Sequence, residues 1–241
     1  MNKKINFKLE LLAKIKPSVE EQQRFKETTS VFLPKLNQAL KAAKLQAEAI
    51  LGGSGAKNTW LAGNYDIDIF VLFDYKKYQQ NSDKLSDLLA LVLKKTFPEK
   101  IIRLHGSRDY FQLAFQQLNF EIVPILKIKK SAEAINITDV SPLHAEWVNK
   151  ATRKNKNVSD EIRLAKKFLK ANKLYGAESY LNGFSGYVTE ILVINYGSLE
   201  NLLKAALKWK EKEVIDAGKN YPKKDALFHL NKSKQVSPII V

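Results

Sequence analysis

The chain has 241 residues, enough for one large domain or two modest ones, and its 40 Lys+Arg against 25 Asp+Glu give a formal charge of +15. That surplus favours polyanionic partners, nucleic acid first among them, through counterion release; the plainer reading is a lysine-rich surface that aids solubility. A composition of 45% hydrophobic and 27% charged residues excludes wholesale disorder, and the absence of cysteine excludes disulfides, thiolate zinc sites and cysteine nucleophiles. The lysine-rich start, residues 1–12, lacks the apolar core of a signal peptide, and no run of 18 apolar residues is present, so the expectation is a cytosolic protein with no membrane partner.

Ser18 and Glu21 stand at capping-box spacing, and Phe25, Phe32, Leu36 and Leu40 then recur near helical period, which predicts a helix that Pro34 kinks or divides. Residues 47–52 read as a strand running into the tight loop Gly52-Gly53-Ser54-Gly55, and residues 56–61 as the start of a short helix. Residues 66–73 (DIDIFVLF) are apolar on both faces after two acids, as in a central, doubly covered strand. Residues 82–97 carry a leucine stripe that predicts a helix packed on the sheet. Residues 101–104, 110–115 and 120–128 read as strands, the last two joined by a polar turn at 116–119.

From Pro142 the pattern becomes helical, with segments at 143–151, 159–172, 185–194 and 198–209. The helix at 159–172 is expected to bury Ile162, Ala165, Phe168 and Leu169 and to present Arg163, Lys166, Lys167 and Lys170 to solvent. The fold class is therefore α+β, with a mixed sheet and helices over residues 1–135 followed by a mainly helical domain over 136–241.

In a strand, residues i and i+2 share a face, so Asp66 and Asp68 project side by side from an otherwise apolar segment. Two adjacent anions repel, and a hard divalent cation such as magnesium removes the conflict by taking carboxylate oxygens together with substrate phosphates. A two-ion mechanism needs a further acid, for which Glu121 is the candidate; spacing alone weighs a solvent-facing sheet acid equally. Small residues at Gly52-Gly53-Ser54-Gly55 let backbone N–H groups approach a phosphate, with the Ser54 hydroxyl as an added donor. The loop lacks the Gly-Lys-[Ser/Thr] ending of a Walker A motif, and no parallel βαβ fingerprint supports a dinucleotide fold.

Gly53-Ser54-x-Ala56-Lys57-x-Thr59-Trp60-Leu61, followed by Asp66-Ile67-Asp68-Ile69-Phe70-Val71-Leu72-Phe73, resembles the archaeal-type (class I) CCA-adding tRNA nucleotidyltransferases of the polymerase β superfamily. The resemblance continues in order through Ile122-Val123-Pro124, Ser141-Pro142-Leu143-His144, Arg163-Leu164-x-Lys166, Leu174-Tyr175-Gly176-Ala177-Glu178, Gly183-Phe184-Ser185-Gly186-Tyr187 with Glu190, then Tyr196-Gly197-Ser198 and Trp209. The Gly-Ser and Asp-x-Asp elements are shared across the superfamily; the Tyr-Gly-Ala-Glu and Gly-Phe-Ser-Gly-Tyr elements point to this branch.

The resemblance implies a polymerase-β-like catalytic domain that adds C, C and A to the tRNA 3′ end from CTP and ATP, with two Mg2+ ions. It implies Asp66, Asp68 and Glu121 as catalytic metal ligands, and Ser54, Lys57, Ser141, His144, Lys166 and Tyr175 as nucleotide contacts. Glu121 stands where the family usually has Asp, and Lys57 where Arg is common, a point charge in place of a bidentate fork. Family members continue beyond the position of Val241 into a base-selecting arginine and a tail that grips tRNA, so a second polypeptide is expected to supply that part. A poly(A)- or oligoadenylate-type transferase would share the site and differ in product; a non-catalytic tRNA-binding subunit would be expected to have lost its acids.

Overall fold

The computed structural model describes residues 3–63, 66–155, 157–176, 181, 183–221, 226–229 and 237–241. Ala177 and Glu178 of the Tyr-Gly-Ala-Glu element lie outside the described residues. The chain forms two compact units, residues 17–147 and residues 1–16 with 148–241. The boundary drawn from the sequence is at 135, with residues 1–16 counted on the side of the sheet.

The 17–147 unit opens with helix α2 (Val19–Ala42), which follows α1 (Lys3–Ile15) in the chain. Both arms of the Ser18 capping box form: Glu21 N donates to Ser18 Oγ at 3.1 Å, and Ser18 N donates to Glu21 Oε2 at 2.8 Å. The helix runs unbroken through Pro34, because Phe32, Leu36 and Leu40 are fully buried against the sheet on either side of it. Strand β1 (Ala47–Leu51) leads into a single helical turn, α3 (Gly53–Ala56), and β2 (Asp66–Asp74) crosses the centre. The predicted short helix thus ends at Ala56 rather than beginning there, since the chain turns out at Asn58 with φ of 51°.

After β2, the short helix α4 (Tyr75–Tyr78) and a 3-10 segment (Gln79–Lys84) precede α5 (Leu85–Thr96), then β3 (Ile102–Leu104), β4 (Tyr110–Phe115) and β5 (Leu118–Lys127). The sheet order is β1-β2-β5-β4-β3, with β2 and β5 parallel and the other neighbours antiparallel. β4 and β5 close through Gln116 and Gln117, whose φ angles of 49° and 63° match the left-handed pair of a tight hairpin. Phe32 stacks on Phe120 at 4.0 Å and on Phe97 at 4.8 Å, with Ile67, Ile69, Val71 and Phe73 of β2 buried around them. Each such side chain contributes about 1.5–3 kcal/mol on leaving water.

In the other unit, α7 (Val158–Ala171), α8 (Gly186–Tyr196) and α9 (Leu199–Ala206) pack around Ile162, Ala165, Leu192, Val193 and Leu202. Helix α6 (Ser141–Lys154) carries the chain across the division, which falls between Trp147 and Val148. α1 packs on α7, where Lys8 pairs with Glu161 and Lys16 Nζ lies 3.3 Å from Asp160. The buried Glu161 also accepts from Leu199 N at 3.0 Å, which caps α9. β6 (Glu213–Val214) and β7 (Ile239–Ile240) form a parallel pair, with the one-turn α10 (Ala226–His229) between them in sequence.

Two expectations for α7 are corrected. Arg163 and Lys166 are 2% and 4% exposed rather than on a solvated face, and Phe168, expected in the core, is 37% exposed. Helical phase explains the exchange, because Ile162, Ala165, Lys166 and Leu169 share the inward stripe and a carboxylate on α8 receives the lysine. Among the described residues, no helix is long and apolar enough to cross a membrane.

Candidate active site

β2 begins with its acids. Asp66 is exposed and Asp68 half-buried, while Ile67 and Ile69 between and after them enter the core, so both carboxylates leave the sheet on one face. Parallel pairing places Asp68 in register with Glu121 of β5, the strand beside β2, so Glu121 joins that face. The same face continues along the strands as an apolar patch of Phe70, Leu72, Val123 and Ile125.

The loop after β1 reaches this face through its backbone. Gly52 N donates to Asp68 O at 2.7 Å, and Thr59 N donates to Ser54 O at 3.0 Å, which folds the Gly-Gly-Ser-Gly run into the α3 turn. Gly53 has φ of +53°, and a Cβ there would fall 1.6 Å from Asp68 Oδ2. Glycine is therefore required twice over, for the left-handed backbone and for the close approach to the carboxylate. Gly55 meets Phe25 in the same way at 2.7 Å, and Phe25 stacks on Trp60 at 5.3 Å, so the Thr59-Trp60-Leu61 stretch anchors the loop in apolar surroundings. Ser54 and Lys57 are half-buried beside it.

Gly63, with φ of +73° and nothing within 4 Å of an added Cβ, isolates the two requirements. Gly53→Ala is expected to slow any chemistry that the acidic face carries by about 100-fold, as displacement of a reacting group by an ångström does. Gly63→Ala should leave the rate near that of the parent. Equal rates for the two variants would show that contact with Asp68 is immaterial.

Sequence reasoning passed over two side chains of this face. Tyr110 and Gln112 alternate on β4 with the buried Phe111 and Leu113, a period-two signal present in the sequence. Gln112 Nε2 donates to Glu121 Oε1 at 2.6 Å. The Tyr110 phenol is pushed above its ordinary pKa by burial and then by the negative charge of Glu121.

Asp66, Asp68 and Glu121 offer only hard oxygen donors, the chemistry a divalent magnesium ion takes. Among the described residues, no three Asp, Glu or His side chains converge into a ready-made cage. The Asp66–Asp68 pair nevertheless fits magnesium, which commonly uses one or two carboxylates and completes its shell with water and substrate phosphates.

Ser141 and His144 lie half-buried in the first turn of α6, within the 17–147 unit. That turn is held by Asp139, which is fully buried: its Oδ1 accepts from Arg108 Nη1 at 2.6 Å and Leu126 N at 2.9 Å, and its Oδ2 accepts from Ile135 N at 3.2 Å and Asn136 N at 2.9 Å.

Lys166 and Tyr175 belong to the other unit. Lys166 Nζ donates to the fully buried Glu190 at 2.7 Å. Tyr175 pairs with Phe184 in an isolated parallel bridge, Lys170 Nζ lies 5.1 Å from its ring, and a Cβ on Gly186 would meet its hydroxyl at 2.8 Å. Gly183 lets the two segments approach, since a Cβ there would lie 2.5 Å from Leu174 O. The two branch-specific motifs thus fold against each other. The Tyr187 phenol nearby is raised by burial and then by the charge of Glu190.

Residues 1–162 match the model of the Second Messenger Oligonucleotide or Dinucleotide Synthetase domain, and residues 160–241 that of the tRNA nucleotidyltransferase second domain. A CCA-adding enzyme of Nanoarchaeum equitans is 41% identical over 93% of this chain and 54% of that protein. One from Methanocaldococcus jannaschii is 36% identical over 83% of this chain and 44% of that protein. The chain therefore spans about half the length of the curated relatives it matches. Among solved structures, E. coli CdnC in complex with HORMA superposes with a TM-score of 0.65 at 20% identity, covering 95% of this chain and 78% of that one. The Cid1 poly(U) polymerase bound to Mg and 3′-dATP gives 0.61 at 18% identity, covering 81% and 56%. These likenesses show that the chain shares its fold with those two proteins.

Proposed function

We propose that this chain, which belongs to the Second Messenger Oligonucleotide or Dinucleotide Synthetase domain family through residues 1–162 and is similar to archaeal CCA-adding enzymes over most of its length, adds C, C and A to the 3′ end of tRNA from CTP and ATP. The observation that carries the proposal is the acidic face itself: Asp66 and Asp68 side by side on β2, Glu121 in register with Asp68, and the Gly53 backbone packed on the Asp68 carboxylate. The RNA 3′-oxygen forms a bond to the α-phosphorus, the bond from that phosphorus to the β-phosphate oxygen breaks, and pyrophosphate leaves. Asp66 and Asp68, with Glu121 beside them, would hold magnesium, which would supply charge neutralisation and a more acidic 3′-hydroxyl.

The residues of the chain do the rest. Asp66 and Asp68 hold position and charge on a rigid central strand, Glu121 flanks them, and the Gly53-Ser54 loop with Lys57 receives the triphosphate. Ser141, His144, Lys166 and Tyr175 complete the proposed nucleotide contacts. The charge of +15 suits an RNA substrate. We further propose that tRNA grip and base choice draw on the portion of the relatives that the matched span does not reach.

The test incubates the purified chain with Mg2+, tRNA lacking its 3′ end, and CTP or ATP separately and together, then sequences the extended ends. Ordered C, C and A, with higher efficiency when the remaining portion is supplied as a separate polypeptide, is the expected result. Homopolymer tails would make the protein a different terminal transferase, as Cid1's poly(U) activity illustrates for a protein of this fold. Full efficiency without that portion would place tRNA grip and base choice within the matched span.

A further inference from the structure

Glu121 is flanked by two registered neighbours on the acidic face, Asp68 on β2 and Gln112 on β4. Registered side chains on adjacent strands point the same way, so the three form one row across three strands spaced about 4.8 Å apart. The two ends of the row act oppositely on the carboxylate between them: Asp68 is a like charge that repels it, and Gln112 is a donor that holds it. The hydrogen bond from Gln112 Nε2 to Oε1, at 2.6 Å, is the one that the Glu121 side chain makes among the described residues. Glu121 also carries one more methylene than the aspartates, hence one more torsion for its surroundings to fix. Gln112 is half-buried on β4 and makes no contribution to the apolar core, so the core gives no reason for an amide at this place.

We propose that Gln112 is a positioning residue for nucleotidyl transfer: its amide holds Glu121 Oε1, fixing the side chain so that the second oxygen is left to bind a divalent cation with the aspartates. The inference rests on the reading of Asp66, Asp68 and Glu121 as the ligand set. A donor that orients a ligating carboxylate is worth roughly 10–100-fold in metal affinity. Gln112→Leu keeps the size and the strand position and removes the donor.

The measurement is Mn2+ binding to the full chain by electron paramagnetic resonance, without nucleotide, in the parent, Asp68→Asn, Gln112→Leu, Glu121→Asp and the Gln112→Leu/Glu121→Asp double variant. Gln112→Leu should weaken binding by about ten-fold or more. In the Glu121→Asp background the shortened carboxylate is withdrawn from the amide, so the same replacement should have little further effect, a coupling that a general loss of stability would not produce. Unchanged Mn2+ affinity in Gln112→Leu, or an equal loss in both backgrounds, would overturn the assignment while Asp68→Asn still abolishes binding. Binding that survives Asp68→Asn would instead overturn the ligand set, and the role of Gln112 with it.

Discussion

Asp68→Ala is expected to abolish nucleotide incorporation while leaving the protein folded. Asp68 is the hub of the acidic face: it shares the face with Asp66, stands in register with Glu121, and lies under the Gly53 backbone. On the proposed reading, removing it takes away a carboxylate that would hold a divalent cation at the reacting phosphate, an effect worth several kcal/mol of transition-state stabilisation. At 1.36 kcal/mol per tenfold, the loss is on the order of 1,000-fold or more. The fold should tolerate the change, because Asp68 is half-exposed and its removal relieves repulsion with Asp66 and Glu121. Labelled CTP incorporation, together with thermal unfolding, checks both halves. A folded Asp68→Ala protein with parental activity would remove these acids from the chemistry.

Asp139→Ala should produce the opposite pattern, a large loss of stability. Its carboxylate is fully buried and accepts from four donors, of which Arg108 is itself 7% exposed in its side chain. Truncation leaves a buried guanidinium and three backbone N–H groups without their acceptor, and breaking a buried pair from one side costs about 3–5 kcal/mol. For a unit of this size that lowers the melting temperature on the order of 10 °C. Asp139→Asn should not rescue it, since an amide turns one accepting end into a donor facing other donors. Circular dichroism melting decides the matter, and a shift no larger than that of an exposed Asp→Ala control would show that the carboxylate is dispensable to the fold.

What the sequence made legible follows from the range of the interactions involved. The Ser18 capping box and the apolar run after Asp66 and Asp68 are set by residues a few positions apart and form as read, while the turn read over 116–119 closes in two residues, Gln116 and Gln117, with Leu118 and Asn119 already in β5. Glu121 was less legible: spacing alone weighed a solvent-facing acid equally, because its register with Asp68 depends on a parallel pairing between strands distant in sequence. The misplaced features depend on distant partners. Lys166 was grouped with a solvated face because its carboxylate, Glu190, lies 24 positions later on another helix. Pro34 was read as a break because the aromatic stack that holds its helix draws on Phe97 and Phe120, from an α5 flank and β5. Residues 1–16 carry no local sign of where they dock, and their partners Asp160 and Glu161 lie on the far side of the entire sheet unit in sequence.

That last arrangement sets an order of events during synthesis. α1 is made before the sheet unit but belongs to a unit whose remaining residues begin at Val148. At roughly 5–20 residues per second, the helix waits on the order of ten seconds for α7, while the whole sheet unit is made and can close around its own aromatic core. The sheet unit is continuous in the chain from Pro17 to Trp147, so all of it has been made before α7 emerges.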